Sequence, residues 1–249
     1  MTAMDLRSET PVWERAGLSN ENGFTMRLER TLSVLGIVFV QLCLNTFAGE
    51  DFAGEEELYT GKEFTEAFVN PEDDSSRPNV LLIGDSISIV YTVDVRKRLR
   101  GKADVFRIPG NGKNSAYGLE NLDSWIGTRQ WDVIHFNWGL WDLCYRHPES
   151  KTQGHRDKVN GTITATPEQY RANMERIVAR LKQTDAALIW CTTTPVPEFE
   201  AGRKLGDDIV YNRIAGKIMK ENGICINDLH SHALLRYSEI QKQKSDVQY

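Results

Sequence analysis

Cysteine is scarce, and what there is carries no pattern. The four residues Cys43, Cys144, Cys191 and Cys225 form no C-x-x-C pair. That argues against a zinc or dithiol redox site, and no disulfide framework is suggested. Cys144, Cys191 and Cys225 sit in or beside apolar runs, where a free cysteine behaves as a small core residue. Positive charge is not in excess either. Thirty Lys and Arg face 35 Asp and Glu, a net charge of −5. This mild acidity argues against nucleic acid or an anionic membrane as the main partner, and no nucleic-acid motif is present. Walker sequences, dinucleotide fingerprints and receiver-type acidic clusters with a lysine are absent too. No internal repeat is visible. The longest apolar run, residues 32–47, is short for a bilayer span and holds Gln41 and Asn45.

The N-terminal part reads as an appendage to one globular domain. Residues 1–25 are polar, aperiodic and expected to be disordered. Met26-Arg-Leu-Glu-Arg30, the run 32–47 and the small residues Thr46 and Ala48 follow the order of a secretory signal. Cleavage is expected after Ala48, with Met26 as the possible true initiator. The same segment, 26–48, left uncleaved would be a membrane anchor, and only then would a membrane be a partner. Residues 49–78 are acidic and turn-rich, ending in Pro71-Glu-Asp-Asp-Ser-Ser-Arg-Pro78. They read as a linker, with Phe64, Phe68 and Val69 in a short helix packing on the domain. The domain itself is expected over 79–249.

From Asn79 on, short apolar runs alternate with amphipathic segments. Strands are predicted at 80–83, 104–108, 131–138, 187–191 and 224–227. Helices are predicted at 87–99, 117–126, after the capping box Thr166-Pro-Glu-Gln169, from about 208 to Gly223, and from 229. A polar excursion spans 146–165. Strand–helix alternation with short links implies an α/β fold with three layers: a doubly wound, parallel, five-stranded sheet with helices on both faces. In such sheets chemistry gathers in the loops beyond the carboxyl ends of the strands.

The first of those loops organises the rest. Val80-Leu-Leu-Ile83 runs into Gly84-Asp85-Ser86 and then straight into a helix. A serine there meets the free N–H groups and positive end of the helix, which favour negative charge. It is equally suited to be no more than a helix cap. The other loops hold Asn111-Gly112, Asn137-Trp138-Gly139-Leu140-Trp141-Asp142, and Thr192-Thr-Thr194 followed by Pro195.

Taken together, Gly84-Asp85-Ser86 with Ser88, the glycine loop, the Gly-Leu-Trp-Asp block and the Thr-Thr-Pro turn resemble the GDSL/SGNH hydrolases. These are esterases and lipases, and the likeness covers residues 79–249. It is closest to a secreted bacterial branch associated with carbohydrate deacylation. The resemblance implies a flavodoxin-like SGNH hydrolase fold, ester hydrolysis without metal or cofactor, and an exported protein, periplasmic or extracellular. It also implies roles. Ser86 would be the nucleophile, with its N–H as one oxyanion donor. Gly112, or Lys113 in another register, would supply a second donor. Asn137 would supply a third from its side chain, because Trp141 holds the position of the usual asparagine. As a plain turn residue, Asn137 would instead bond its own backbone. Trp138 and Trp141 would stack on a sugar ring or belong to the core, and Thr193 and Thr194 would line the acyl pocket.

The late block departs from the family's pattern. Its general base is a histidine, and Gln248 stands in that place, with Asp246 as the orienting carboxylate. An amide cannot accept the serine proton at neutral pH. The block is expected to be both altered and cut short, without the last helix. Five histidines remain as substitutes: His135, His147, His155, His230 and His232. Two readings therefore stand side by side. One is a serine esterase acting on acetyl or other short acyl groups of a carbohydrate or small ester. The other is an inactive or impaired homologue that binds glycans. A flavin-type binding module fits poorly, since Gly84-Asp-Ser-Ile-Ser88 is short for a phosphate loop and carries an acid.

Overall fold

A computed structural model describes residues 62–236. The expectations for residues 1–25, for the 26–48 signal or anchor, for Asp246 and for Gln248 lie outside the described residues.

Five parallel strands form the centre: β1 (Asn79–Ile83), β2 (Asp104–Arg107), β3 (Val133–Phe136), β6 (Ala187–Cys191) and β7 (Cys225–Asn227). Their order across the sheet is β2-β1-β3-β6-β7. The chain leaves β1 outward to β2, then returns past it to β3, so the winding direction reverses at β1. The strands form where apolar residues run consecutively. Val80, Leu81, Leu82 and Ile83 are all fully buried, because both faces of the sheet are covered.

The helices α2 (Ser86–Leu99), α3 (Ser115–Ile126), α4 (Pro167–Leu181) and α5 (Asp207–Glu221) cover the two faces. Leu81, Ile83, Phe106, Ile134, Phe136 and Trp190 form one core with α3, α4 and α5. Val80, Leu82, Val105, Val133 and Ile189 form the other with Tyr91, Val95 and Leu99 of α2. Each such side chain contributes about 1.5–3 kcal/mol relative to leaving it in water. The predicted capping box is present at α4. Thr166 Oγ1 accepts the Gln169 N–H, and Gln169 returns its side-chain oxygen to the Thr166 N–H. The described chain ends with α6 (Leu229–Leu235).

From Lys62 onward the segment before Asn79 carries a short helix and docks on the domain. It begins with α1 (Lys62–Ala67), and Ala67 packs on Ile89 of α2. Phe68 and Val69 follow this helix and are exposed, although the Arg107 guanidinium lies 5.1 Å from the centre of the Phe68 ring. Asn70 bonds both the N–H and the carbonyl of Arg107, and Arg77 pairs with the buried Asp104 at 3.0 Å. The polar excursion also has structure of its own. It holds a two-stranded antiparallel ribbon, β4 (Tyr145–Arg146) with β5 (Thr162–Ile163). Glu200, fully buried, joins this excursion to the loop after β6 through Arg156 at 2.8 Å and Arg203 at 2.9 Å.

Candidate active site

Ser86 is the first residue of α2, placed where the sheet winding reverses. It is half-buried. The helix cap is Asp85, not Ser86: the Asp85 carboxylate accepts the Ile87 N–H at 3.1 Å. Among the described residues, nothing hydrogen-bonds the Ser86 hydroxyl or its N–H. The serine thus presents a free hydroxyl beside a free donor at a helix N-terminus, where developing negative charge is favoured.

Two side chains hold this turn from below. Ser88 is buried, and its hydroxyl donates to the Asp85 carbonyl at 2.7 Å. Arg107, only 2 % exposed, donates to the carbonyls of Gly84 and Asp85, each at 3.3 Å, and to Ser88 Oγ at 2.8 Å. Burial pushes the Asp85 carboxyl above its ordinary range, and the nearby Arg203 and Arg107 guanidinia pull it back.

The glycine loop lies against the same turn. The Gly112 N–H donates to the Gly84 carbonyl at 2.9 Å. A Cβ at Gly112 would sit 2.8 Å from that oxygen, so only glycine permits the approach. The Lys113 N–H is taken by Asn111 Oδ1 at 2.8 Å. Both N–H groups named as second donors are therefore engaged. Asn137 ends β3 half-buried, and its Nδ2 donates to the Cys191 carbonyl at 2.6 Å. It would have to leave that bond to meet an oxyanion. A narrow cleft opens between α2 and the strand ends, lined by Ile87, Tyr91, Asn137, Thr192, Thr194 and Leu229 among others.

The two tryptophans separate. Trp138 is 1 % exposed, and its indole N–H donates to the Gly112 carbonyl at 3.1 Å. It is a core residue and offers no face to a sugar. Trp141 is half-buried, with the Arg146 guanidinium 4.6 Å from its ring centre. Thr193 is locked in place by Asn212 at 2.8 Å and faces Gly139 rather than the cleft. Thr194 is buried in the cleft wall.

None of the five histidines bonds Ser86. His135 is buried in β3 between Tyr91 and Asn227, each at 3.4 Å, and burial lowers its pKa to about 3. His147 and His155 are bonded within the excursion, His155 Nδ1 to the Ser150 carbonyl at 3.0 Å. His230 Nε2 lies 2.6 Å from Asp208. His232 is half-buried, with its pKa lowered by burial. Among the described residues, no group of three His, Cys, Asp or Glu is placed to hold a metal ion.

Sequence reasoning missed Arg107 and gave Asp142 no task. The signal for Arg107 was a cation inside the apolar run Val105-Phe-Arg-Ile108, which a buried strand tolerates only with partners.

No family model matches the sequence, and no curated protein matches it. Solved structures do match in fold. An acetyl xylan esterase, AlAXEase, superposes with a TM-score of 0.52 at 15 % identity, over 67 % of this chain and 90 % of the other. The lipase/acylhydrolase from Enterococcus faecalis gives 0.51 at 16 % identity, over 64 % and 79 %. A GDSL-like lipase from Parabacteroides merdae gives 0.50 at 14 % identity, over 68 % and 88 %. At these identities the likeness is one of fold. The chain has the three-layer architecture of the GDSL/SGNH acylhydrolases and acetyl xylan esterases.

Proposed function

We propose that this protein is a serine ester hydrolase of the SGNH type, removing acetyl or other short acyl groups from a carbohydrate or a small ester. The observation that carries this is Ser86: a half-buried serine with free hydroxyl and free N–H, at the positive end of α2 and at the winding reversal of the sheet. In this reading Ser86 Oγ bonds the acyl carbon and its proton passes to a base. The alcohol leaves with a proton, and water then cleaves the acyl-enzyme. The Ser86 N–H is the oxyanion donor already free, and the helix field adds to it. Gln248 cannot take that proton, so in the unaltered chain the base would be one of the five histidines, and Asp246 would orient a late-block base only in Gln248→His. Thr194, in the cleft wall, would line the acyl pocket, and Trp141 would stack on a sugar ring. The acetyl and carbohydrate specificity rests on the fold likeness to an acetyl xylan esterase. The order of segments in residues 26–48 supports export to the periplasm or beyond. No helix among the described residues is long and apolar enough to cross a membrane.

A second reading has its own support. None of the five histidines touches Ser86, and Gln248 holds the place of the family's base. On that reading the chain is a catalytically impaired relative that keeps the binding cleft.

Hydrolysis of a short-chain aryl acetate separates the two. The chain as it stands, Ser86→Ala and Gln248→His are compared. Activity in the unaltered chain that Ser86→Ala abolishes supports the esterase. Activity only after Gln248→His supports the impaired relative. Activity that survives Ser86→Ala removes Ser86 as nucleophile.

A further inference from the structure

Arg107 ends β2, directly beside Leu82 of β1. Its guanidinium lies under the Ser86 turn and makes five hydrogen bonds to two separate segments. Nη1 donates to the carbonyls of Ile108 at 3.0 Å and Gly110 at 2.7 Å, at the start of the glycine loop. Nη2 donates to Gly84 O, Asp85 O and Ser88 Oγ, in the nucleophile turn. The two segments otherwise meet through a single backbone bond, Gly112 N–H to Gly84 O.

The geometry has an electrostatic side. Four of the five acceptors are backbone carbonyls and the fifth is the Ser88 hydroxyl. A cation behind them adds its field to that of the helix terminus on which Ser86 sits. Arg107 is almost wholly buried, so this field is weakly screened. The cation also costs a good deal to bury, and burial lowers its pKa to about 10, which still leaves it charged at neutral pH. A buried charge of this kind is tolerated only where its hydrogen bonds are made. Its Nε has no partner and is buried. The side chain is therefore held for the fork at its end, which a simpler residue could not supply.

We propose that Arg107 is a positioning residue: it clamps the Ser86 turn to the glycine loop and fixes the Ser86 N–H, the free oxyanion donor, with a positive charge behind it. This rests on Ser86 as nucleophile for its catalytic part, but the clamp itself is a property of the fold. Arg107→Lys keeps the charge and replaces the five-donor fork by one ammonium, which cannot serve both segments. Arg107→Met removes the charge and keeps the volume.

The test reads two quantities. Hydrogen exchange followed by mass spectrometry reports residues 84–89 and 109–113 against β6 as an internal reference. Both variants are expected to exchange faster in the first two segments by about tenfold or more, with β6 unchanged. In aryl acetate hydrolysis, kcat is expected to fall by roughly 10²-fold, with little change in KM, because the lost alignment matters only in the transition state. Unchanged exchange in both segments of Arg107→Lys overturns the clamp. So does a uniform rise that includes β6, which would mean plain destabilisation. Altered exchange with kcat retained overturns the catalytic part alone. If the parent chain shows no Ser86-dependent hydrolysis, the functional reading fails, and exchange still decides on the clamp. Should Arg107→Met not fold, the lysine variant carries the test.

Discussion

The Asp142 carboxylate holds Ser115 by three contacts: Oδ1 lies 2.5 Å from Ser115 Oγ, and the Ser115 N–H points at the two oxygens at 3.0 and 3.1 Å. Asn173 Nδ2 donates to the same hydroxyl at 3.0 Å. Asp142 is fully buried, so the block after β3 is pinned to the first turn of α3. Removing the carboxylate in Asp142→Ala leaves a buried N–H and hydroxyl without their acceptor, a loss of about 1–3 kcal/mol. Urea unfolding at neutral pH measures it. A loss within error would show that the pin is not needed.

The same carboxyl sets a pH dependence. Burial pushes its pKa up to about 7 against Ser115, which pulls it down. The folded state then holds a proton that the unfolded state has released between about pH 4 and 7. Its contribution is most favourable below that window and is lost as pH rises through it. His135 acts in the opposite sense. Its folded pKa of about 3 lies below the ordinary 6.5. The unfolded state binds the extra proton in that window, so stability falls as pH drops from 6.5 toward 3. Over much of pH 4 to 6.5 the two effects offset each other. In His135→Gln the acid loss should disappear, and stability should rise as pH falls from 7 to 4. In Asp142→Asn the loss on acidification should steepen. Urea midpoints across pH 3.5–7.5 test both, and parallel profiles for the two variants would contradict the assignment.

Trp138 as a wall gives a steric prediction. A Cβ at Gly118 of α3 would fall 2.5 Å from the indole ring. Gly118→Ala must displace either the helix or the ring, at a cost of about 1–3 kcal/mol despite the gain in helix propensity. Denaturation followed by tryptophan fluorescence reads the loss. A stabilised variant would mean that the ring has room to move.

His230 and Asp208 form the tie at the other end of the sheet. Asp208 is buried in the first turn of α5, and the backbone N–H of His230 donates to Thr192 Oγ1 at 2.8 Å. One residue thereby links α5, α6 and the end of β6, its ring through Asp208 and its backbone N–H through Thr192. His230→Ala leaves a buried carboxylate without its partner, and a loss of about 1.5–3 kcal/mol is expected. His230→Asn should recover part of it. Thermal unfolding of the pair tests this, and equal stability of alanine and wild type would rule the tie out.

The strands were legible because a parallel sheet buries both faces and so demands consecutive apolar residues, as in 80–83 and 187–191. The Ser86 turn was legible because strand, Gly-Asp-Ser and helix follow each other without a gap. The ribbon of Tyr145–Arg146 with Thr162–Ile163 was not, since two-residue strands leave no periodic trace. Side-chain parity held more than was taken from it. Ile134, Phe136 and Trp138 alternate onto the core with α3, which already marks Trp138 as interior. The engagement of Gly112 and Asn137 by nearby acceptors arises from contacts across segments, and local pattern carries no record of those; that of Lys113 is a local turn closed by Asn111. Arg107 is the same case: its strand was visible, its partners were not.

The strand order β2-β1-β3-β6-β7 has a further meaning during synthesis. β2 and β3 take the two sides of β1. After that, β6 adds to β3 and β7 to β6, on the same side of the sheet, and no paired strands have to part to admit a later one. The sheet can lengthen as the chain leaves the ribosome, as domains generally do. The Ser86 turn and the glycine loop close in the half made first. The wall carrying Thr192, Asp208 and His230 arrives last. A nascent chain released after β3 would carry the Ser86 turn and Arg107 with no opposite wall, so that half is born exposed and is enclosed only by the final two strands.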